Sequence, residues 1–218
     1  MTCCGKVICT GCIYAVQLRA AKARRREDDV CPFCRTPPPT EEESSKRVEK
    51  RIDFNDAIAI CCMGGYYFHG SGIAQAQDYT KALELWHRAA ELGSTESYYN
   101  IGNAYRNGRG VDADEKKAIH YYKPAAMGGD VEARHYLGCF EVKAGNHDKA
   151  LKHWMIAVKD GDFHSLQGIE HLCSAGFATK DDHAKALQSY QAYIDEIKTA
   201  QRDEAAVFND GNRYYDLA

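Results

Sequence analysis

The sequence predicts an all-α chain: an α-solenoid of stacked helix pairs behind a small, cysteine-rich, zinc-binding head. Two observations carry this. A block of correlated residues returns four times between Asp56 and Lys198, and six of the ten cysteines fall within the first 34 residues. Repetition at a period of this length is the mark of a repeat array, in which each unit buries its apolar face only by stacking on its neighbours.

The head comes first. Cys9-x-x-Cys12 and Cys31-x-x-Cys34 are separated by 18 residues. A pair of thiolates on one tight knuckle turns both sulfurs to a single tetrahedral ion, and two such knuckles at this separation predict zinc. With Cys3 and Cys4 they make a cluster that, in a reducing compartment, points to metal rather than to disulfides. A thioredoxin-like redox reading needs one C-x-x-C beside a βαβ pattern, which is absent here. The zinc is expected to be structural, because so short a segment holds too little apolar surface for a core of its own.

The run Cys4-Gly5-Lys6-Val7-Ile8-Cys9-Thr10-Gly11-Cys12, followed by Cys31-Pro32-Phe33-Cys34-Arg35, resembles the RING finger. That resemblance implies a cross-brace of two zinc ions. Cys9 and Cys12 stand as the third ligand pair and Cys31 and Cys34 as the fourth, with a short helix over Ile13 to Arg26. It also implies docking of a ubiquitin-conjugating enzyme, with Arg35 as the linchpin-like catalytic residue that steadies the ubiquitin thioester. Two departures stand out. The first ligand pair is missing, and Lys6 holds the usual histidine position, although an ammonium has no lone pair to give a metal. Three arrangements stay open. Cys3, Cys4, Cys31 and Cys34 make one complete site, or Cys9, Cys12, Cys31 and Cys34 make a one-zinc knuckle, or an intact RING has its first pair upstream of Met1.

Thr36-Pro37-Pro38-Pro39-Thr40, then Glu41-Glu42-Glu43-Ser44-Ser45, reads as a stiff joint. Helical character resumes from Lys46 to Asn55, with Val48, Ile52 and Phe54 as a thin apolar stripe.

Beyond it, Lys-Ala recurs at Lys81-Ala82, Lys117-Ala118, Lys149-Ala150 and Lys185-Ala186, in steps of 36, 32 and 36. An aromatic follows each alanine by four residues: Trp86, Tyr122, Trp154 and Tyr190. Small residues and a glycine come next, as at Ala89-Ala90 and Gly93. Upstream, the fullest copy of a second pattern runs from Tyr98 to Val111. Each unit therefore offers two helices of about a dozen residues joined by a glycine-rich turn. Gly64 and Gly102, mid-helix, cost roughly 1 kcal/mol each in propensity and are expected where helices approach closely. The third unit's four-residue deletion is expected in the turn at Gly145-Asn146-His147-Asp148, and Pro124 is expected to kink or loosen a second helix.

These units are similar to Sel-one-like repeats, relatives of the tetratricopeptide repeat. The resemblance implies a right-handed solenoid that binds a protein or peptide partner. It is degenerate in the fourth unit, where Glu170 replaces the mid-helix glycine and Tyr193 the small residue. The expected layout is a RING-like finger over 1–35 and a linker with a helix over 36–55. Repeats follow over 56–94, 95–130, 131–162 and 163–198, with a cap and tail over 199–218.

A net charge of -3 leaves no basic surplus to neutralise phosphates, so no nucleic-acid partner is expected. No apolar run is long enough to cross a bilayer, so no membrane partner is expected. The N-terminus lacks a signal peptide's apolar core, which makes cytoplasm or nucleus the expected location. The basic run from Arg19 to Arg26 is read as a solvated helix face. Histidines such as His87, His120, His135 and His153 are expected in surface or packing roles. Cys61, Cys62 and Cys139 are expected as buried free thiols, and the tyrosine pairs as part core and part groove lining. The expected function is a RING-type ubiquitin-protein ligase whose repeats select the substrate. The alternative is a non-catalytic scaffold.

Overall fold

The computed structural model describes residues 41–70 and 76–197, and among them every regular element is an α-helix. Val48–Tyr193 form one compact unit. Outside it, residues 41–47 and 194–197 belong to the first and last helices. After α1 (Glu41–Asp53) come four pairs: α2 (Ala57–His69) with α3 (Tyr79–Glu91), and α4 (Thr95–Asn107) with α5 (Glu115–Met127). The next are α6 (Val131–Lys143) with α7 (His147–Lys159), and α8 (Phe163–Ser174) with α9 (Lys180–Ile197). Successive helices from α2 to α8 pack on one another, as in an α-solenoid.

Capping sets where the helices begin. The first helices of the four pairs start behind Asp56, Ser94, Asp130 and Asp162, whose side-chain oxygens accept hydrogen bonds from backbone N–H groups of the first turn. Asp78 and Asp114 do the same for α3 and α5. Each cap satisfies a donor that the helix itself leaves orphaned.

The space between paired helices is filled by one aromatic ring over one bare stretch of backbone. Trp86 lies on Gly64, Tyr122 on Gly102 and Trp154 on Gly138. The indole N–H groups then reach main-chain carbonyls, Trp86 donating to Cys61 at 3.2 Å and Trp154 to His135 at 3.1 Å. Ala89, Ala125 and Ala157 are fully buried, which lets the helices close on the rings. In the fourth pair Glu170 is exposed at the glycine's register position, and Tyr190 packs 6.0 Å from the ring of Phe163 instead. Tyr193, at the register of those alanines, covers Gly161.

Two expectations change. The first helix starts at Glu41, inside the acidic run assigned to the joint, because three glutamates are good helix formers. Phe54 is 75% exposed and leaves the apolar stripe, whereas Ile52 packs on the core. Pro124, expected to kink or loosen a second helix, sits in the last turn of α5, which continues to Met127, so its missing N–H removes one bond near the helix end. The four-residue deletion does lie between α6 and α7, but the turn is Ala144-Gly145-Asn146, with His147 and Asp148 already in the first turn of α7, and both helices keep 13 residues.

Candidate functional site

The first helices of the pairs carry the candidate site. Cys61, Cys62, Tyr99, Asn100, Asn103 and Arg106 line an open cavity of about 490 Å³ between α2 and α4, with Trp86 also on its wall. Its lining is amide-rich and partly satisfied from within. Tyr122 donates its hydroxyl to Asn103 Oδ1 at 2.7 Å, and Asn100 Nδ2 lies 3.8 Å from Cys61 Sγ. Burial pushes the Cys61 thiol up from its ordinary range.

A second cavity of about 470 Å³ lies between α4 and α6, lined by Arg106, Glu115, Tyr136, Cys139, Phe140 and Lys143. The two share Arg106 and Tyr136. The guanidinium sits 3.9 Å over the Tyr136 ring, which stacks on Tyr122 at 5.4 Å. Arg106 is exposed, so its outer edge stays free to meet a carboxylate while the ring steadies its inner face. Lys143 Nζ pairs with Glu115 Oε2 at 2.6 Å at the far end.

Beneath the second cavity, one histidine joins two pairs. His135 Nδ1 lies 3.2 Å from Asp162 Oδ2 and 3.0 Å from Ser165 Oγ, and its Nε2 lies 3.3 Å from Cys139 Sγ. Burial works against the imidazolium, but the Asp162 carboxylate and the Cys139 sulfur outweigh it and push His135 up to about 9. Asp162 is held below the usual carboxylate range: burial opposes this, but bonds from His135 and Ser165 prevail. Asp162 thus caps α8 and ties it to α6 at once.

The sequence-predicted metal ligands Cys3, Cys4, Cys9, Cys12, Cys31 and Cys34, and the linchpin candidate Arg35, lie outside the described residues. Among the described residues, no group of three or more His, Cys, Asp or Glu side chains is placed to hold a metal ion, and no helix is long and apolar enough to cross a membrane. Of the expected buried thiols, Cys61 is buried, Cys62 is exposed because it turns outward from the core face, and Cys139 is half-buried on a cavity wall. Tyr122 is core, and Tyr99 lines the first cavity, so the tyrosine pairs divide as expected. Sequence reasoning missed Asn100, Asn103, Arg106 and His135 as site residues. The four-residue spacing of His135 and Cys139 on one helix was a visible signal, whereas their link to Asp162 needed the stacking of pairs.

Compared with known families, residues 57–94 and 95–130 match the Sel1 repeat. Two relatives named "DAP3-binding cell death enhancer 1" are similar over 190 residues: that of Mus musculus at 33% identity and that of Rattus norvegicus at 24%. Each alignment covers 69% of this chain and 36% of the relative, so the chain spans about a third of the length of these curated relatives. A protective antigen of uropathogenic Escherichia coli with an SLR fold is similar at 25% identity and TM-score 0.58, over 75% of this chain and 35% of that one. A Sel1 repeat protein from Oxalobacter formigenes shares the fold at TM-score 0.60 and 21% identity, over 89% of this chain and 73% of that one. The helix pairs α2–α3 and α4–α5 are thus built on Sel1 repeats.

Proposed function

We propose that this chain is a protein–protein interaction scaffold whose docking surface is the face of α2, α4 and α6. The observation that carries the reading is the pair of open cavities that share Arg106 and Tyr136 along one helix face. Amides at Asn100 and Asn103 offer both donors and acceptors to a partner's backbone. Tyr99 and Tyr136 supply flat contact area at small entropic cost, and Arg106 adds a bidentate donor. The Sel1 repeats support a protein partner, and the relatives' name, DAP3-binding, supports a docking role.

The test is a peptide-display selection against the full chain, followed by titration of the selected peptides. Arg106→Ala and Asn103→Ala should each weaken binding by about tenfold, the 1–2 kcal/mol of a buried polar contact. Unchanged affinity in both folded variants overturns the reading.

A second reading rests on the spacing of Cys9, Cys12, Cys31 and Cys34. In it the head binds structural zinc and recruits a ubiquitin-conjugating enzyme, while the repeats present the substrate, so that catalysis is proximity and orientation alone. Zinc content counts the sites, one ion for a single knuckle and two for a cross-brace. Arg35→Ala should keep the zinc and abolish ubiquitin transfer, and transfer at an undiminished rate discards the role given to Arg35. Thiolates need a reducing compartment to stay free for metal, which supports cytoplasm or nucleus.

A further inference from the structure

Cys139 stands apart from the other cysteines of the repeats. Its register position, nine residues past the first-helix cap, holds Gly65 in the first pair, Asn103 in the second and His171 in the fourth. Packing therefore does not demand a thiol there. Its sulfur lies on the wall of the cavity between α4 and α6, and 3.3 Å behind it stands the Nε2 of His135. Asp162, the N-cap of α8, and Ser165, in its first turn, occupy the other ring nitrogen, at 3.2 Å and 3.0 Å. With Nδ1–H committed to the Asp162 carboxylate, a protonated ring points its remaining N–H at the sulfur.

The ring is held in place from several sides. Trp154 stacks on it at 6.1 Å, Tyr136 meets it edge-on at 5.5 Å and His164 lies 6.0 Å away. On the cavity side, the charged groups near the sulfur are Arg106, Lys143, Asp114 and Glu115, with Lys143 and Glu115 paired to each other.

We propose that Cys139 is a nucleophilic thiol, activated by the His135 Nε2 that stands behind it and open to small electrophiles through the cavity. Placing a thiolate beside an imidazolium is how reactive cysteines are activated in general. The cavity admits a small molecule, and its lining sets the apolar faces of Phe140 and Tyr136 beside these four charged side chains. With iodoacetamide as the probe, the sulfur's electron pair forms an S–C bond as the C–I bond breaks. Iodide leaves with its electrons, and the proton that left the sulfur stays on His135 Nε2.

The experiment follows alkylation of the full chain by iodoacetamide, resolved for each cysteine by peptide mass spectrometry. At about pH 6, native Cys139 should react about tenfold faster than exposed Cys62 or half-buried Cys173, and faster than Cys139 itself in urea-unfolded chain. His135→Gln should remove that advantage and leave Cys62 unchanged. Asp162→Asn, which keeps a capping side chain, should reduce it. The comparison with unfolded chain needs no variant. A native Cys139 that reacts no faster than in urea overturns the proposal, as does an undiminished rate in folded His135→Gln.

Discussion

The indole of Trp86 rests on the bare backbone of Gly64: a Cβ added there would sit 2.5 Å from Nε1, the nitrogen that donates to the Cys61 carbonyl at 3.2 Å. The glycine lets the ring come down far enough for its N–H to find that partner. The helix loses propensity and the pair gains a filled, hydrogen-bonded interior. Tyr122 on Gly102 repeats the arrangement, with Asn103 in place of the carbonyl.

Gly64→Ala should therefore destabilise the protein by about 1–3 kcal/mol, the range for overpacking a tight core, measured by urea unfolding. Gly65→Ala is the control next door. A Cβ there meets nothing within 4 Å, so the change should stabilise by about 0.5–1 kcal/mol through helix propensity.

The caps make a second comparison. Asp114 accepts from Lys117 N at 3.0 Å, whereas Asn146 makes no side-chain cap bond to α7. Asp114→Ala should cost about 1 kcal/mol, and Asn146→Ala clearly less, read from shifts in the urea midpoint.

The His135–Asp162 pair gives stability a pH dependence. His135 is raised from 6.5 to about 9 in the folded chain, so between those values the folded state keeps a proton that the unfolded state has released. Its contribution is full below pH 6.5 and is lost as pH rises through about 9. Asp162 is lowered and adds stability above its ordinary value, lost in acid. His87 and His153, both lowered by burial, act in the opposite sense near neutrality. The difference in urea midpoint between the natural chain and His135→Gln should accordingly shrink as pH rises from 6.5 toward 9. A constant difference across that window argues against the ion pair.

Much of the repeat packing was legible because it depends on spacing. Lys-Ala, the aromatic four residues on, and Gly64 and Gly102 all name positions in one packing unit, and each sits where that unit needs it. Even the worn fourth pair could be read, since Glu170 cannot lie beneath a ring. Pro124 was legible as a helix-interior proline, but not its distance from the helix end: it stands in the last turn of α5, which runs on to Met127 with Gly128 as its C-cap. The site was less visible. Arg106 and Tyr136 lie 30 positions apart on different helices, and only stacking puts guanidinium over ring. His135 meets Asp162 across the same kind of junction, so nothing in either neighbourhood announced the pair.

The docking face is tested most directly by hydrogen exchange on the full chain with and without a selected peptide. Exchange should slow on binding in α2, α4 and α6, concentrated around Cys61–Gly65, Tyr99–Asn107 and Tyr136–Lys143, with α3, α5 and α7 little changed. Protection confined to the second helices of the pairs, with no effect around Arg106, contradicts it.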